Sequence, residues 1–478
     1  MVVMKFGGSS VAGAAAIARV CAIVAAERRP RVIVVSALGG VTDTLLALAA
    51  RAAARDLDAA LEGVQALRER HASIAGTVRR EAERDALLQD LDAGWLEVGT
   101  LLRAASLLKA CTPAASDAIV AQGELASSRL VAALLHDAGV PARWLDARRV
   151  VVTDSRHQHA APLPVETTER LVRGVRPLVA RGAVPVIGGF VGATADGVTT
   201  TLGRGGSDYS ASLVGACLGA AEIQIWTDVD GMLTADPRIF RRARPVDRLS
   251  FREASALARF GAKVLHPSTV QPAVVNGIPV RILNTSRPAA RGTTVLAGPV
   301  RRSAPAAGIG CLTGLCAIDV ALPDGAGRAS ALAGVFESCA RAEATVRLAA
   351  VSDAGVSVVI DEGPAADRAA AGLDALSPVR RGGLALLAVV GDALASGAGV
   401  PRRVLAALDA TPVHLLSRTP GSNHLACVID QANLAGAVDA VHECLFGHAP
   451  ESDREDDQPD APAVAFSALG LAGREVRA

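Results

Sequence analysis

Short apolar runs alternate with segments of helical spacing along the first part of the chain. Val, Ile and Leu predominate in each run, and charged or polar residues predominate between the runs. Runs of this kind separated by helices predict a mainly parallel sheet sandwiched by helices. The runs cover residues 2–6, 31–36, 142–145, 184–188, 223–227 and 280–283.

One long segment interrupts this rhythm. Residues from about 44 to 108 are rich in Ala, Leu, Arg and Glu and contain almost no strand formers. Apolar residues recur there with the period of a helix, so we expect a helical insertion within a first domain of residues 1–298.

The pattern changes after a stretch rich in Pro and Arg at 299–308, which predicts a linker. Short strand, helix and strand units follow, and they predict two similar α+β modules of the ferredoxin-like type at 309–383 and 384–448. Residues 449–478 combine acidic residues with Pro and Ala, a composition that predicts a disordered tail.

Charge and composition exclude several classes of function. The 478 residues include 49 basic and 48 acidic side chains, and only 3% are aromatic, so we expect no nucleic-acid partner. The amino terminus does not resemble a signal peptide, and the apolar runs are interrupted, so we expect a cytoplasmic protein without a membrane partner. The eight cysteines are scattered and form no C-x-x-C pair, which argues against a zinc site or a disulfide framework.

Two glycine-rich loops carry the candidate chemistry. The first follows the opening apolar run as Lys5-Phe6-Gly7-Gly8, and the second reads T-L-G-R-G-G-S-D-Y-S from Thr201 to Ser210. Phosphoryl transfer requires cations and free backbone amides beside the moving phosphate, and glycines let a phosphate approach the backbone closely. Neither loop is a P-loop or a dinucleotide-binding loop, and Gly7-Gly8 alone is equally compatible with a tight turn.

Two further blocks raise the probability of a nucleotide site. Residues 225–238 follow an apolar run with polar and turn-forming residues, a plausible edge for adenine and ribose, and residues 260–267 supply a second lysine, Lys263. Taken singly, each block is also compatible with a solvated loop.

Together and in this order, the motifs resemble the aspartate kinases of the amino-acid kinase family. The resemblance runs through Val3 to Ser10, 34–43, 122–124, 188–190, Thr201 to Ala211, Trp226 to Arg238 and Gly261 to Pro267. The helical insertion and the stretch 422–425 are most similar to the lysine-sensitive, single-function type. The resemblance implies an ATP-dependent enzyme that makes 4-phospho-L-aspartate for lysine, threonine and methionine biosynthesis.

The resemblance also implies roles for individual residues. Lys5, Asp208 and Lys263 are the implied catalytic residues, with Asp208 either orienting Lys5 or belonging to a magnesium shell. Magnesium is implied through ATP, without a confident protein ligand. An aspartate side chain with a pKa of about 3.9 is already ionised, so no general base is needed. The implied ATP-binding residues are Lys5, Phe6, Gly7, Gly8, Thr227, Asp228, Leu233, Arg238, Lys263 and Val264, and the implied aspartate-binding residues are Ser36, Thr42, Glu124 and Arg204.

Two positions in the kinase portion depart from the family pattern. Ser9 stands where Thr is usual, which preserves the hydroxyl. Leu233 stands where a Tyr commonly contacts the nucleotide, so a ring contact is lost.

The C-terminal modules resemble paired ACT domains, which bind a feedback amino acid and support a homodimer or larger oligomer. The loop 324–330 departs from the sequence pattern of the lysine-sensitive type. Arg347 departs from it as well, because an acidic residue is usual at this position. We therefore expect lysine inhibition to be weakened, lost or replaced.

Three alternatives remain open at this point. One is a kinase for another amino acid, such as acetylglutamate, and another is a non-catalytic amino-acid sensor of the same fold. The third concerns His157 and His159, whose H-x-H spacing suggests a metal site but is more typical of a surface loop when no further ligand follows.

Overall fold

The first part of the protein is built on a mainly parallel sheet. The computed structural model describes residues 1–262, 267–323, 325, 327–395 and 399–447. Eight strands form the sheet in the order β3-β4-β2-β1-β7-β9-β10-β8, and β5 and β6 form a separate hairpin. The strands are β1 (Val2–Phe6), β2 (Arg31–Val35), β3 (Ala142–Leu145), β4 (Val184–Gly188), β5 (Val191–Ala193), β6 (Thr199–Thr201), β7 (Glu222–Thr227), β8 (Arg248–Ser250), β9 (Val280–Asn284) and β10 (Thr293–Leu296).

The predicted architecture is confirmed. The strands from β3 to β9 in this order are parallel, and β10 runs antiparallel to β9. All six apolar runs form strands of this sheet, and helices cover both faces. Val3 and Val34 face one apolar core while Met4 and Ile33 face the other, so the central strands are buried on both sides.

Ten helices surround this sheet in the described residues. Three of them, α2 to α4, occupy the segment in which we expected the helical insertion. The helices are α1 (Ala14–Ala26), α2 (Val41–Ala53), α3 (Leu57–Ala75), α4 (Glu81–Leu108), α5 (Pro113–Asp137), α6 (Ala147–Val150), α7 (Pro164–Ala180), α8 (Gly206–Leu218), α9 (Phe251–Arg259) and α10 (Gln271–Val275).

Helix α5 lies in the interior of this part. Among the described residues it is the one helix long and apolar enough to cross a membrane, yet 78% of its apolar window is buried inside the protein. The Thr112 side chain caps its start by accepting a hydrogen bond from the Ala115 N–H at 3.2 Å. Its apolar character is therefore explained by its place in the core.

The C-terminal part forms one antiparallel sheet. Six strands follow the order β12-β13-β11-β14-β16-β15, with helices packed against them. The elements are β11 (Gly308–Ala321), α11 (Gly327–Arg341), β12 (Val346–Ser352), β13 (Gly355–Asp361), α12 (Pro364–Ala371), β14 (Val379–Val390), α13 (Val400–Ala407), β15 (Val413–Ser417), β16 (His424–Asp430) and α14 (Leu434–Phe446).

The two α+β units that the sequence suggests share this sheet. Strand β11 pairs with β13 along one edge and with β14 along the other, so the central pair β11 and β14 joins them. Strand β11 spans Gly308–Ala321 and so begins at the last residue of the segment that we predicted as a linker. Asp324, Ala326 and the acidic tail lie outside the described residues.

The two parts of the protein are in direct contact. The N–H of Ile309 in β11 donates to the Thr234 carbonyl at 2.8 Å. The Glu253 carboxylate in α9 accepts from the Asp392 N–H at 2.9 Å and from Arg302 at 2.5 Å. Thr234 and helix α9 thus lie on the first part's side of the interface.

Candidate active site

The central strands end at one edge of the sheet and place their following loops side by side. Phe6 is in register with Val35 of β2 and with Trp226 of β7. Ser36, just beyond β2, and Thr227, the last residue of β7, therefore flank the first glycine loop. This is the position where open α/β sheets bind ligands.

A cavity of about 850 Å³ opens beside this edge. It brings together most of the residues that the sequence assigned to catalysis and to aspartate binding, and Gly8 with them, although they come from four separate segments. Those in its wall are Lys5, Gly8, Ser36, Thr42, Glu124, Arg204 and Asp208.

Lys5 and Asp208 form an ion pair in this wall. Nζ of Lys5 lies 2.6 Å from Oδ1 of Asp208, and their side chains are only 10% and 18% exposed. Asp208 lies in the first turn of α8, where a negative side chain is favoured by the helix dipole. The glycine before this helix, Gly205, has a φ of +73° that suits glycine. Strand β1 thus presents a held ammonium group to the cavity, and α8 presents its amino terminus.

Glu124 supplies a buried acid with an unsatisfied oxygen. The residue is 3% exposed, and its Oε2 has no hydrogen-bond partner within the described residues. Burial raises the pKa of Glu124 to about 8, although the nearby Lys5 opposes the shift. A cation that entered the cavity would satisfy this carboxyl group.

Arg204 is an exposed guanidinium in the same wall, and it forms no ion pair within the described part of the chain. The preceding Gly203 has a φ of +77°, and a Cβ there would come within 2.7 Å of Nδ1 of His159. Glycine is therefore required for the loop to pass this close to His159. A free planar guanidinium suits a carboxylate.

The sequence reasoning missed Asp117, a fully buried residue of α5 at the cavity. Asp117 accepts hydrogen bonds from Nδ1 of His157 at 2.7 Å, from the Gln158 N–H at 3.1 Å and from the Thr201 hydroxyl at 2.6 Å. His157 lies in a loop with exposed neighbours, as expected, but its side chain is only 19% exposed and is held by Asp117. Asp117 thereby fixes two stretches of the cavity wall.

Phe190 was also missed as a cavity residue. It has a φ of +63°, which is rare for a residue with a side chain, and it lines the cavity. Its N–H donates to the Ser210 hydroxyl at 2.9 Å, and a Cβ on Gly206 would lie 2.6 Å from its ring. The strained backbone is held in place by the start of α8.

Of the described residues that were assigned to ATP, Lys5 and Gly8 line this cavity and the others do not. Thr227, Asp228, Leu233 and Arg238 are not in its wall. Arg238 instead forms a bidentate ion pair with Asp236. Its Nε and one terminal nitrogen lie 3.0 and 2.6 Å from the two carboxylate oxygens. Leu233 is half-buried and bridges to Pro245. Lys263 and Val264 lie outside the described residues.

Two expectations for the first glycine loop need correction. The Gly7 N–H donates to the Trp226 carbonyl at 3.0 Å, so it is not free for a phosphate in this structure. Phe6 is fully buried and stacks on Trp226 with ring centroids 5.9 Å apart, so its side chain cannot touch a nucleotide. Gly8 is the glycine of this pair that lines the cavity.

The described residues contain no group of three or more His, Cys, Asp or Glu side chains able to hold a metal ion. All eight cysteines lie within the described part, and each is a free thiol.

Comparisons with known proteins agree over nearly the full chain. A model of the amino acid kinase family matches residues 1–284. The lysine-sensitive aspartokinase 3 of Escherichia coli (strain K12) is 33% identical over 463 residues, covering 93% of this chain and 99% of that protein. The aspartokinase of Chlamydia trachomatis serovar D is 33% identical over 457 residues, covering 93% of this chain and 98% of that protein.

Solved structures show the same agreement. The crystal structure of E. coli aspartokinase III with aspartate and ADP, in the R-state, matches with a TM-score of 0.74 and 31% identity, covering 93% of this chain and all of that one. The T-state structure with lysine and aspartate matches with a TM-score of 0.81 and 32% identity, covering 93% and 99% of the two chains.

Proposed function

The chain belongs to the amino acid kinase family and is an aspartokinase, and from that premise we propose how its cavity performs the reaction. In this proposal the cavity binds L-aspartate with its side-chain carboxylate directed toward Lys5. The γ-phosphoryl group of ATP is transferred to that carboxylate and yields 4-phospho-L-aspartate and ADP. The observation that carries the proposal is the convergence of Lys5, Glu124, Arg204 and Asp208 on one cavity.

The substrate roles follow from charge. The unsatisfied Glu124 carboxyl would accept the α-ammonium group of aspartate, and the free Arg204 guanidinium would hold the α-carboxylate. Ser36 and Thr42, on the same wall, would position the reacting carboxylate. That carboxylate is already ionised, with a pKa of about 3.9, and attacks the phosphorus atom without a general base.

The phosphate side rests on Lys5. An ammonium group held by Asp208 at 2.6 Å is positioned before the reaction and would neutralise charge on the transferred group. The Gly8 backbone and the start of α8 would face the phosphates. Thr227, Asp228, Leu233 and Arg238 would hold the rest of the nucleotide along the end of β7, with Lys263 and Val264 as further proposed contacts. Arg238 would then have to exchange its contact with Asp236 for the nucleotide.

Magnesium would arrive with the nucleotide. Since the described residues offer no cluster of acidic or imidazole ligands, phosphate oxygens and water would supply most of its coordination. When bound, the ion would neutralise phosphate charge. Asp208 is the acidic side chain nearest to Lys5, and we assign it to positioning Lys5.

The experiment is a hydroxamate assay with aspartate and Mg-ATP, in which hydroxylamine traps the acyl phosphate. Wild-type protein is expected to form aspartyl hydroxamate, and Lys5→Ala is expected to lose at least about 100-fold in kcat. Lys109→Asn removes the same charge from an exposed helix end and should retain activity. Product with acetylglutamate instead of aspartate would favour a different amino-acid kinase, and no product with any acceptor would favour the sensor.

The regulatory part is proposed to consist of two ACT modules after a catalytic domain of residues 1–298 and a linker at 299–308. We propose that they bind an amino-acid effector and associate with a second copy of the chain. We also propose a cytoplasmic location, supported by eight free cysteines. Light scattering during gel filtration would give the mass of the assembly.

A further inference from the structure

A second cavity, of about 370 Å³, lies between the catalytic part and the C-terminal sheet. Helix α9 supplies Arg252, Ser255 and Arg259 to its wall, and Asn423 and His424 come from the residue before β16 and from its first residue. None of these residues lines the aspartate cavity. The cavity therefore belongs to the interface between the two parts.

Its wall is positively charged. Arg252 and Arg259 are seven residues apart on α9, so they lie on one face, with their Cα atoms about 10 Å apart along the helix. Neither forms an ion pair with an acidic side chain in the described part of the protein, and no acidic residue lines the cavity. Glu253, the acidic residue of this helix, is buried and is held by Arg302.

Three polar atoms in the same wall are buried without a hydrogen-bond partner in the described part of the chain. They are Oγ of Ser255, Nδ2 of Asn423 and Nδ1 of His424, and Asn423 is only 7% exposed. An unsatisfied buried polar group costs roughly 1–3 kcal/mol, so their convergence on one cavity needs a physical reason. A bound molecule that hydrogen-bonds to them would supply it.

We propose that this cavity is a binding site for a small molecule with an acidic group at each end, such as a dicarboxylate. Arg252 and Arg259 bind the two ends, because a guanidinium fork matches a carboxylate and the spacing of the two arginines exceeds the size of a single acid group. Asn423 and Ser255 donate hydrogen bonds between them. The site goes beyond the aspartate and ATP sites of the proposed reaction.

Such a ligand would contact both parts of the protein at once. Arg252 already reaches across the interface and donates to the Gly421 carbonyl at 2.9 Å. A molecule that binds α9 and β16 together favours the arrangement in which these elements face each other. Occupancy would therefore link the position of the C-terminal sheet to the catalytic part.

The test is calorimetric titration of the full chain with glutarate, and with butyrate as the one-ended comparison. The measurements are made in an Arg204→Ala background, so that the aspartate cavity contributes little binding. We expect glutarate to bind saturably and butyrate to bind at least about 10-fold more weakly. In Arg259→Gln and in Arg252→Gln, the affinity for glutarate should fall by a similar factor. Arg19→Gln removes an equal charge from the exposed face of α1 and should leave binding unchanged.

Three results would overturn the proposal. The first is no binding of glutarate, which would mean that water alone fills the cavity. The second is equal affinity for glutarate and butyrate. The third is glutarate binding that neither Arg252→Gln nor Arg259→Gln weakens. Because binding is measured directly, the result does not depend on whether the chain phosphorylates aspartate.

Discussion

The hydroxyl of Thr234 lies 2.9 Å from Nε2 of His442, and this buried contact joins the catalytic part to the last helix of the C-terminal sheet. Thr234 also accepts from the Arg244 N–H at 2.9 Å, and the His442 ring packs between Phe240 and Phe446. The contact between Thr234 and His442 therefore holds the segment 227–238, which we assign to nucleotide binding, against α14. A change at this contact should affect ATP binding more than aspartate binding.

The variant Thr234→Val tests that expectation. It keeps the side-chain volume but leaves the imidazole and the Arg244 amide without their partner, at a cost of about 1–3 kcal/mol in the free energy of unfolding. We expect KM for ATP to rise several-fold while KM for aspartate stays within about twofold of its wild-type value. Thr234→Ser retains the hydroxyl and should behave as wild type. Equal changes in both KM values would argue against a specific connection to the nucleotide segment.

Asp208→Asn tests how Lys5 is positioned. The amide has nearly the same shape but no longer attracts the ammonium group, so we expect kcat to fall by about 100-fold with little change in KM for aspartate. The alternative, a magnesium shell, makes a different prediction. If Asp208 mainly held the metal, higher magnesium concentrations would restore the rate, whereas a positioning role leaves the loss unchanged across a magnesium titration.

Glu124→Gln removes the charge that we assign to the α-ammonium of aspartate. Because burial raises the pKa of Glu124 to about 8, the empty site holds a mostly neutral carboxyl group at pH 7. Aspartate binding should therefore strengthen as the pH rises from about 6.5 to 8.5, as the carboxyl group ionises. In steady-state kinetics, KM for aspartate should fall over this range in the wild type, whereas in Glu124→Gln it should be higher by at least 10-fold and flat.

The same variant has an expected effect on stability that separates binding from misfolding. The folded protein keeps a proton on Glu124 that the unfolded chain loses above its ordinary pKa, so stability decreases as the pH rises from about 4.5 toward 8. Gln removes this penalty. The Tm of Glu124→Gln at pH 8 should equal or exceed that of the wild type, and a lower Tm would contradict the argument.

Much of the catalytic sheet could be predicted because of how it is buried. A strand that is covered on both faces is apolar along its buried length, and Val2 to Met4 of β1 shows this pattern directly. Strands β8 and β10 were not predicted, since three or four residues at the edge of a sheet or next to it leave no such run. The shared C-terminal sheet was missed because strand pairing between β11 and β14 is a long-range choice with no local signal.

The candidate site was predictable to a different extent. Gly8 and Arg204 stand in glycine-rich loops whose composition indicates a ligand, and Lys5 lies at the end of the strand that leads into the first of them. Asp117 has no such signal, because it reads as an ordinary acidic position in a helix, and the groups that donate to it come from distant loops. The Gly7 amide was misassigned because its partner, the Trp226 carbonyl, lies on a strand that is adjacent only in the folded protein.

Arg347 has a neutralising partner that bears on inhibition by lysine. Its Nε and one terminal nitrogen lie 2.8 and 2.7 Å from the two carboxylate oxygens of Asp361 on the neighbouring strand. An arginine at position 347 offers no carboxylate to the ammonium group of an effector. Asp361 offers none either, because its carboxylate is already paired with Arg347. We expect the enzyme to keep most of its activity at millimolar lysine, measured beside the lysine-sensitive E. coli enzyme as a positive control. Strong inhibition at that concentration would contradict this prediction.

His71 predicts how the helical insertion responds to acid. The residue is fully buried between α3 and α4, with Nδ1 2.7 Å from the Leu67 carbonyl and its ring 4.9 Å from that of Trp95. Its Nε2 has no partner in the described part of the chain. Burial lowers the pKa of His71 to about 4, because a charged ring would be poorly solvated there.

Below pH 6.5 the unfolded chain binds a proton at His71 that the folded protein does not, so stability is lost as the pH falls from about 6.5 to 4. The loss from this residue approaches about 3 kcal/mol at the lower end. His71→Leu cannot bind the proton, and its thermal transition should therefore depend less on pH than that of the wild type. The measurement is the change in Tm between pH 7 and pH 5 for each protein. A packing cost of leucine that does not depend on pH cancels in this change. If Tm fell between pH 7 and pH 5 by the same amount in His71→Leu as in the wild type, His71 would not set the acid sensitivity of this region.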